Sequence, residues 1–388
     1  MSAERSHALL SASGAHRWIN CPPSAVKEDK LPEKDTIYTK EGTIAHQIAE
    51  LALQRYCEKI STRKYNSELK KIKSDNAYDY NEMIGHAVDY VDYIHEKVIS
   101  DDATILIEER LDYSAYAPEG FGTGDCVIIQ NGILSIIDFK YGKGVAVNAE
   151  RNPQMMLYAL GAIDMYSMFY DFDQVEMNIF QPRINNISTY TMSLEELEAW
   201  GQSIKPIAEL ALKGEGDFNP GDHCQFCKLK PTCKYLTEYC MEVIKEDFED
   251  LDGHLDIDYL TQEDYAMILS KTDMVKKWLT TVENYAIEHM LSGDLDVPGY
   301  KVVEGRSNRK IADEDKLIEV LTDNGFDEVL LFERKLLSIT NLEKLVKKKQ
   351  FDELVGDYIE KPKGKPTIVP LSDKRSVYTN IDDFEIEN

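Results

Sequence analysis

Gly124-Asp125-Cys126-Val127-Ile128-Ile129-Gln130-Asn131-Gly132-Ile133-Leu134-Ser135-Ile136-Ile137-Asp138-Phe139-Lys140 contains two β-branched runs separated by Asn-Gly. Both central residues of a type I′ turn need φ > 0, so this dipeptide between apolar runs is a strong hairpin signal. With Asn131-Gly132 as a two-residue loop, Gln130 faces Ile133, Val127 faces Ile136 and Asp125 faces Asp138. Directly opposed side chains of an antiparallel pair have Cβ atoms roughly 4.5–5.5 Å apart, where two like charges repel. A cation between them reverses the sign. Lys140 lies two residues beyond Asp138 and shares its face, because side chains alternate along a strand. The other hairpin positions are nearly all apolar, which predicts central strands buried on both sides. A surface hairpin with solvated acids is the competing reading of this stretch taken alone.

The chain has 388 residues, room for two or three domains or for one core with large additions. A hydrophobic share of 43% with 29% charged residues is that of a globular protein. No apolar run approaches the roughly 20 residues of a membrane span, and no charged segment followed by an apolar one opens the chain. The expectation is a cytoplasmic protein that does not engage membranes. A net charge of −26 argues against a surface that coats nucleic acid and confines any such contact to local basic segments. Three are present: residues 59–73, 301–310 and 363–375. Each is also readable as a solvated face.

Residues 7–21 read as a short helix capped by Ser11 or Ser13, stopped by Pro22-Pro23 and delivering Cys21 at its end. Over residues 41–53, Ile44, Ile48, Leu51 and Ala52 fall at helical spacing and put His46 and Glu50 one turn apart on one face. Residues 54–75 are polar and basic, a helix end and an exposed connection. A second amphipathic helix spans 80–98, and 104–112 alternates as a strand that brings Glu108 to the sheet end with Glu109 facing solvent. A helix starts after Pro153, with Gln154 and Tyr158 at i and i+4 on one face. Residues 175–181 and 187–192 are strands around an Asn185-Asn186 turn. Residues 194–212 are a helix with a Ser193/Glu196 capping box. Beyond 250, two helices (Thr261 to about Lys271, about Met274 to Leu291), a strand at 299–304 feeding Arg306, Arg309 and Lys310, helices near 313–324 and 340–350, and a disordered acidic end are expected.

Seven cysteines without a secretion signal speak for metal or redox chemistry over a disulfide framework. Cys224-x₂-Cys227-x₅-Cys233 is a metal-binding spacing with two candidates for a fourth ligand. Cys240 would complete a compact zinc site. Cys21 would close a site across the chain, and thiolates suit either metal. Cys57, Cys126 and Cys240 otherwise read as buried thiols.

In order, His46 on its helix, Glu108, Asp125, the Asp138-Phe139-Lys140 tripeptide, Gln154 with Tyr158, and Cys21 with Cys224, Cys227 and Cys233 resemble the motifs of RecB-like PD-(D/E)xK nucleases. The cysteine arrangement is similar to that of AddB-type and CRISPR-adaptation nucleases. The whole chain also resembles a protein family of phages and prophages, the likeness continuing through Arg306-Ser-Asn-Arg-Lys and Gly364-Lys-Pro-Thr. The resemblance implies an α/β fold for residues 1–249, a restriction-endonuclease-like core of a mixed central sheet flanked by helices, followed by an α-rich region over 250–388. It implies a metal-dependent deoxyribonuclease, an exonuclease of phage-type replication or recombination in a bacterial host. Asp125, Asp138, His46 and the Phe139 carbonyl would hold Mg²⁺ or Mn²⁺. Lys140 would attend the attacking water, Glu108 would supply a further acid, and Gln154 and Tyr158 would hold DNA. The four cysteines would bind a 4Fe-4S cluster, with Zn²⁺ the alternative. The partners are single-stranded DNA or duplex ends, with a single-strand-binding or recombination protein beside them. A catalytically weak DNA-binding component, or a scaffold of such an assembly, is the other class of function.

Overall fold

The Asn131-Gly132 turn forms as its residue types require. The computed structural model describes residues 8–32, 37–73, 78–249, 262–303 and 316. One five-stranded sheet holds β1 (Thr104–Asp112), β2 (Phe121–Gln130), β3 (Ile133–Phe139), β4 (Gln174–Gln181) and β5 (Asn186–Ser193) in that spatial order. Asn131 has φ 48° and Gly132 φ 74°. The expected register follows, with Gln130 opposite Ile133 and Val127 opposite Ile136. β2 is antiparallel to both β1 and β3, β3 and β4 are parallel, and β4 and β5 are antiparallel around Asn185, which sits in the left-handed region. The fold is mixed α/β.

Around the sheet lie α1 (Ala15–Asn20), α2 (Ser24–Asp29), α3 (Ile37–Tyr56), α4 (Thr62–Ile72), α5 (Tyr80–Lys97), α6 (Pro153–Tyr166), α7 (Leu194–Lys213), α8 (Lys234–Glu249) and α9 (Gln262–Ser292). Parallel β3 and β4 need a crossover, and α6 supplies it. Asn152 caps α6 by accepting from the N–H groups of Gln154 and Met155, with Pro153 at the first position. The capping box of Ser193 and Glu196 starts α7. The period of two along each strand divides the core. Val127, Ile129 and Ile136 pack against α6, α7 and Trp18 of α1, while Cys126, Ile128, Ile137 and Phe139 pack under α3 and α5. Ile128, Leu134 and Ile136 are fully buried, each worth about 1.5–3 kcal/mol relative to exposure.

The structure departs from the sequence expectations in four places. Residues 62–72 form α4 in place of an exposed connection, because Ser61 accepts from the Lys64 N–H and Leu69 and Ile72 find apolar cover. The two helices expected on either side of residue 272 are one continuous α9, and no strand forms over 299–303, where Gly299 has φ 83° within a turn. Glu109 is half-buried and accepts from the Tyr166 hydroxyl at 2.8 Å. The cap at Thr261, residues 304–315, Arg306, Arg309 and Lys310 among them, the helices expected near 313–324 and 340–350, the 363–375 segment and the acidic end lie outside the described residues, residue 316 apart. The chain divides into two compact units, Met1–Leu295 and Asp296–Asn388, so α9 falls in the first unit, past the expected boundary at 249. Among the described residues no helix is long and apolar enough to cross a membrane.

A Cβ at residue 132 would meet the Asp173 carboxylate at 2.5 Å on a left-handed backbone. Gly132→Ala is expected to lower unfolding free energy by about 1 kcal/mol or more, measured by chemical denaturation. Asn131→Gly keeps the turn and is expected to move the midpoint little.

Candidate functional site

Register brings three carboxylates to one level of the sheet. Ile107 pairs with Cys126 and Glu109 with Gly124, so Glu108 stands opposite Asp125; Cys126 pairs with Ile137, so Asp138 stands opposite Asp125 on the other side. The ladders are interrupted there. Glu108 has φ 51°, a left-handed conformation rare for a residue with a side chain. Asp125 Oδ2 accepts the Phe139 N–H at 2.7 Å, replacing a backbone partner by a side chain. From α3, His46 brings Nδ1 to 3.3 Å from Asp125 Oδ1, its ring edge-on to Phe139. Ligand atoms of His46, Glu108 and Asp125 all lie within 4.8 Å of one another.

Asp138 is held differently. It is 4% exposed, with the Lys140 ammonium 3.0 Å from Oδ2 and the Gln154 amide donating to Oδ1 at 3.1 Å. Lys140 also donates to Gln154 Oε1 at 3.1 Å, and Gln154 contacts the Tyr158 hydroxyl at 3.4 Å. The Lys140 ammonium thus stands against one carboxylate oxygen of Asp138 while the Gln154 amide holds the other. Tyr158 lies over Gly122, where a Cβ would strike its ring at 2.7 Å. The expected grouping of Asp125, Asp138, Lys140, Gln154 and Tyr158 is present, but the side chains at mutual ligand distance are those of His46, Glu108 and Asp125. Phe139 contributes its N–H to this cluster through Asp125.

The cysteines lie elsewhere in the fold. Cys21 follows α1, and Cys224, Cys227 and Cys233 lie in the turns before α8; all four line one cavity. Cys240 is absent from that lining; it is fully buried with Leu236 and Trp278 in a small apolar cluster between α8 and α9, against which Cys224 and Cys233 also pack. Glu28 of α2 joins the two cysteine-bearing segments. Its Oε2 accepts from Arg17 Nε at 2.9 Å and its Oε1 from the Lys228 N–H at 2.6 Å. Three buried polar residues line the same cavity: Ser24, whose hydroxyl has no partner among the described residues, His223, whose Nε2 lies 2.7 Å from the Asn219 carbonyl, and Lys230.

A family model described as "Protein of unknown function (DUF2800)" matches residues 7–376. The chain belongs to the DUF2800 family. A solved structure titled "Crystal structure of SSO0001" is similar over 57% of this chain and 96% of that one, at 14% identity and a TM-score of 0.23.

The electrostatics of this DUF2800 site suit a cation. Burial pushes the Glu108 carboxyl up, Asp125 adds to it, and the result is about 7. Burial also raises Asp138, with Asp125 adding to it and Lys140 opposing. Asp125 is pulled the other way. Its burial is outweighed by His46, the Phe139 N–H and Lys140, which hold it below the usual carboxylate range. His46 and Lys140 are raised, because the neighbouring carboxylates overcome their own burial. Clustered acids that resist ionisation are relieved by a divalent ion. Two carboxylates and one imidazole suit Mg²⁺ or Mn²⁺.

Sequence reasoning passed over Tyr90, Glu28 and Lys230. The Tyr90 hydroxyl is buried without a hydrogen-bond partner among the described residues, and its ionisation is pushed well up by burial and by charges that include Asp125, Asp138 and Glu108. Its spacing from Met83 and Ala87 on α5 marks it only as core. Glu28 and Lys230 carry no local signal, since their partners are distant in the chain or absent.

The folded state holds a proton on Glu108 between about 4.5 and about 7, where the unfolded chain has released it. Glu108 therefore subtracts stability as pH rises through that window. Melting of metal-free protein is expected to fall from pH 5 to pH 7.5 more steeply in the wild type than in Glu108→Gln. Mn²⁺ is expected to raise the wild-type melting temperature more at pH 7.5 than at pH 5.5 and to do little for the variant.

Proposed function

We propose that this chain is a divalent-metal-dependent deoxyribonuclease on a PD-(D/E)xK-type core, acting as an exonuclease in phage-type replication or recombination. One observation carries the reading: His46, Glu108 and Asp125 form a cation-sized donor set, while Asp138 and Gln154 fix the Lys140 ammonium beside it. Asp125, Glu108 and His46 would hold Mg²⁺ or Mn²⁺, with Asp138 and the Phe139 carbonyl available to it. The bound ion would neutralise phosphate charge and lower the pKa of a water. Lys140, kept charged by Asp138, would orient that water or stabilise the charge that builds on phosphorus. Gln154 keeps Lys140 and Asp138 in register with each other, and Tyr158 closes the same wall.

DNA contact would be local in a chain of net charge −26. The basic residues of 59–73 support this, since Arg63, Lys64, Lys70 and Lys73 are exposed on or just after α4. Single strands or duplex ends are the substrates this reading favours. The cysteine cavity is read as the seat of a 4Fe-4S cluster held by Cys21, Cys224, Cys227 and Cys233. Cys21 lines one cavity with Cys224, Cys227 and Cys233, whereas Cys240 lies behind Cys224 and Cys233 and outside that lining, which supports this set over a compact site closed by Cys240. Burial raises the Cys21, Cys224 and Cys227 thiols, Cys227 to about 12, so a metal must displace their protons. The alternative, a DNA-binding or scaffold component with a single-strand-binding or recombination partner, draws on the acidic charge.

The deciding experiment uses anaerobically purified protein with end-labelled single- and double-stranded DNA. Wild type is expected to cleave with Mg²⁺ or Mn²⁺ and not with chelator. Asp125→Ala and Lys140→Ala are expected to lose on the order of 10²-fold or more, the scale of losing a charge-stabilising group. Equal rates in wild type and both variants would sink the nuclease reading; tight DNA binding without cleavage would favour the alternative.

A second measurement addresses the cysteines. The protein is expected to be brown, with Cys21→Ala losing colour and melting lower while Cys240→Ala keeps its colour. Colourless protein with stoichiometric zinc, indifferent to Cys21→Ala, would assign the compact zinc site instead.

A further inference from the structure

Lys230 follows the turn of Cys227, its N–H donating to the Cys227 carbonyl at 3.1 Å. The residue is 8% exposed and lines the cavity of the four thiols. Lysine is almost never this buried unless it is paired. Among the described residues no carboxylate pairs with it. The charged and titratable groups that act on it are Lys277 of α9, itself bound to Asp273 at 2.9 Å, and the thiols of Cys224 and Cys240. Arg17, the other cation lining the cavity, is engaged by Glu28. Lys230 is thus a largely covered lysine on the cavity wall with no carboxylate beside it, and the thiols that act on it include Cys224 of the four. Neutral thiols supply no negative charge, and an uncompensated buried charge is strongly unfavourable. Four thiolates around a metal group supply it, because their four negative charges exceed the positive charge of either a zinc ion or an oxidised 4Fe-4S core.

We infer that Lys230 is the internal counter-charge of the metal–thiolate group in this cavity, favouring its binding and, for an iron–sulfur cluster, its reduction. The inference rests on the reading of the cysteine cavity given above. A fixed positive charge stabilises the more negative oxidation state, so it raises the reduction potential. It also makes the empty cavity the place where the charge is unmatched. The two states should therefore respond to its removal with opposite signs. Lys230 would be a positioning residue, acting through the group it faces and not on DNA.

The test compares the full-length wild type with Lys230→Met and Lys230→Arg, purified without oxygen. Iron content, visible absorbance, midpoint potential by dye-mediated titration, and melting before and after chelation are measured. Lys230→Met is expected to shift the midpoint to a more negative potential and to lose the metal faster to chelator. After chelation it is expected to melt above the chelated wild type. Lys230→Arg is expected to restore potential and retention. Wild-type potential and retention in Lys230→Met would overturn the inference. So would lower melting of that variant in both states, which marks a packing role. If the wild type proves colourless and zinc-bound, the cluster reading fails by itself. The counter-charge is then decided by chelator competition: faster zinc loss from Lys230→Met, restored by Arg, upholds it, and unchanged loss overturns it.

Discussion

Three carboxylates on adjacent strands at one level of a sheet repel one another, and the centre of this structure is arranged around that constraint. Asp125 is the middle one, with Glu108 on one side and Asp138 on the other. The ladder breaks at this level. Asp125 takes the Phe139 N–H, Glu108 adopts a left-handed backbone, and His46 and Lys140 lean in from outside the row. Strain and like charge of this kind are tolerated where they serve a site, and here they leave a donor set that a cation would relieve.

The scaffold explains how such a set is held. β2 and β3 are buried on both faces over most of their length, so the carboxylates stand at the rim of the buried centre of the sheet. α3 and α6 approach from opposite faces, α3 bringing His46 and α6 bringing Gln154 and Tyr158. Each arm is anchored independently of the chemistry: α6 by the Asn152 cap, and α3 by the buried Ile48, Ala49 and Leu53.

A second closure links distant parts of the chain. Glu28 ties Arg17 of α1 to the Lys228 amide, and the four thiols converge beside that clamp. Bringing these segments together closes a long loop, whose entropy grows only slowly with length but must be met by contacts such as these. At the cavity the buried Ser24 hydroxyl has no hydrogen-bond partner among the described residues, and the largely covered Lys230 has no carboxylate beside it.

The hairpin was legible in the sequence because a type I′ turn needs two residues at φ > 0 and Asn-Gly answers that locally. Register, the facing of Asp125 and Asp138, the side of Lys140 and the pairing of Gln154 with Tyr158 follow from periods of two and 3.6, which no distant contact can change. Helix caps at Ser11 and Ser193 were local in the same way. The sequence misjudged α4, the continuity of α9 and residues 299–303, where weak local preferences are overridden by packing or go unsupported. Tertiary structure alone decided that Glu108 joins His46 and Asp125 at ligand distance while Asp138 turns to Lys140. It also decided that Cys21 lines a cavity with the other three thiols while Cys240 packs behind two of them, and that Lys230 lines that cavity with no acid beside it among the described residues. Those outcomes depend on which segments meet across the fold, and no spacing along the chain encodes the direction from which a distant helix arrives.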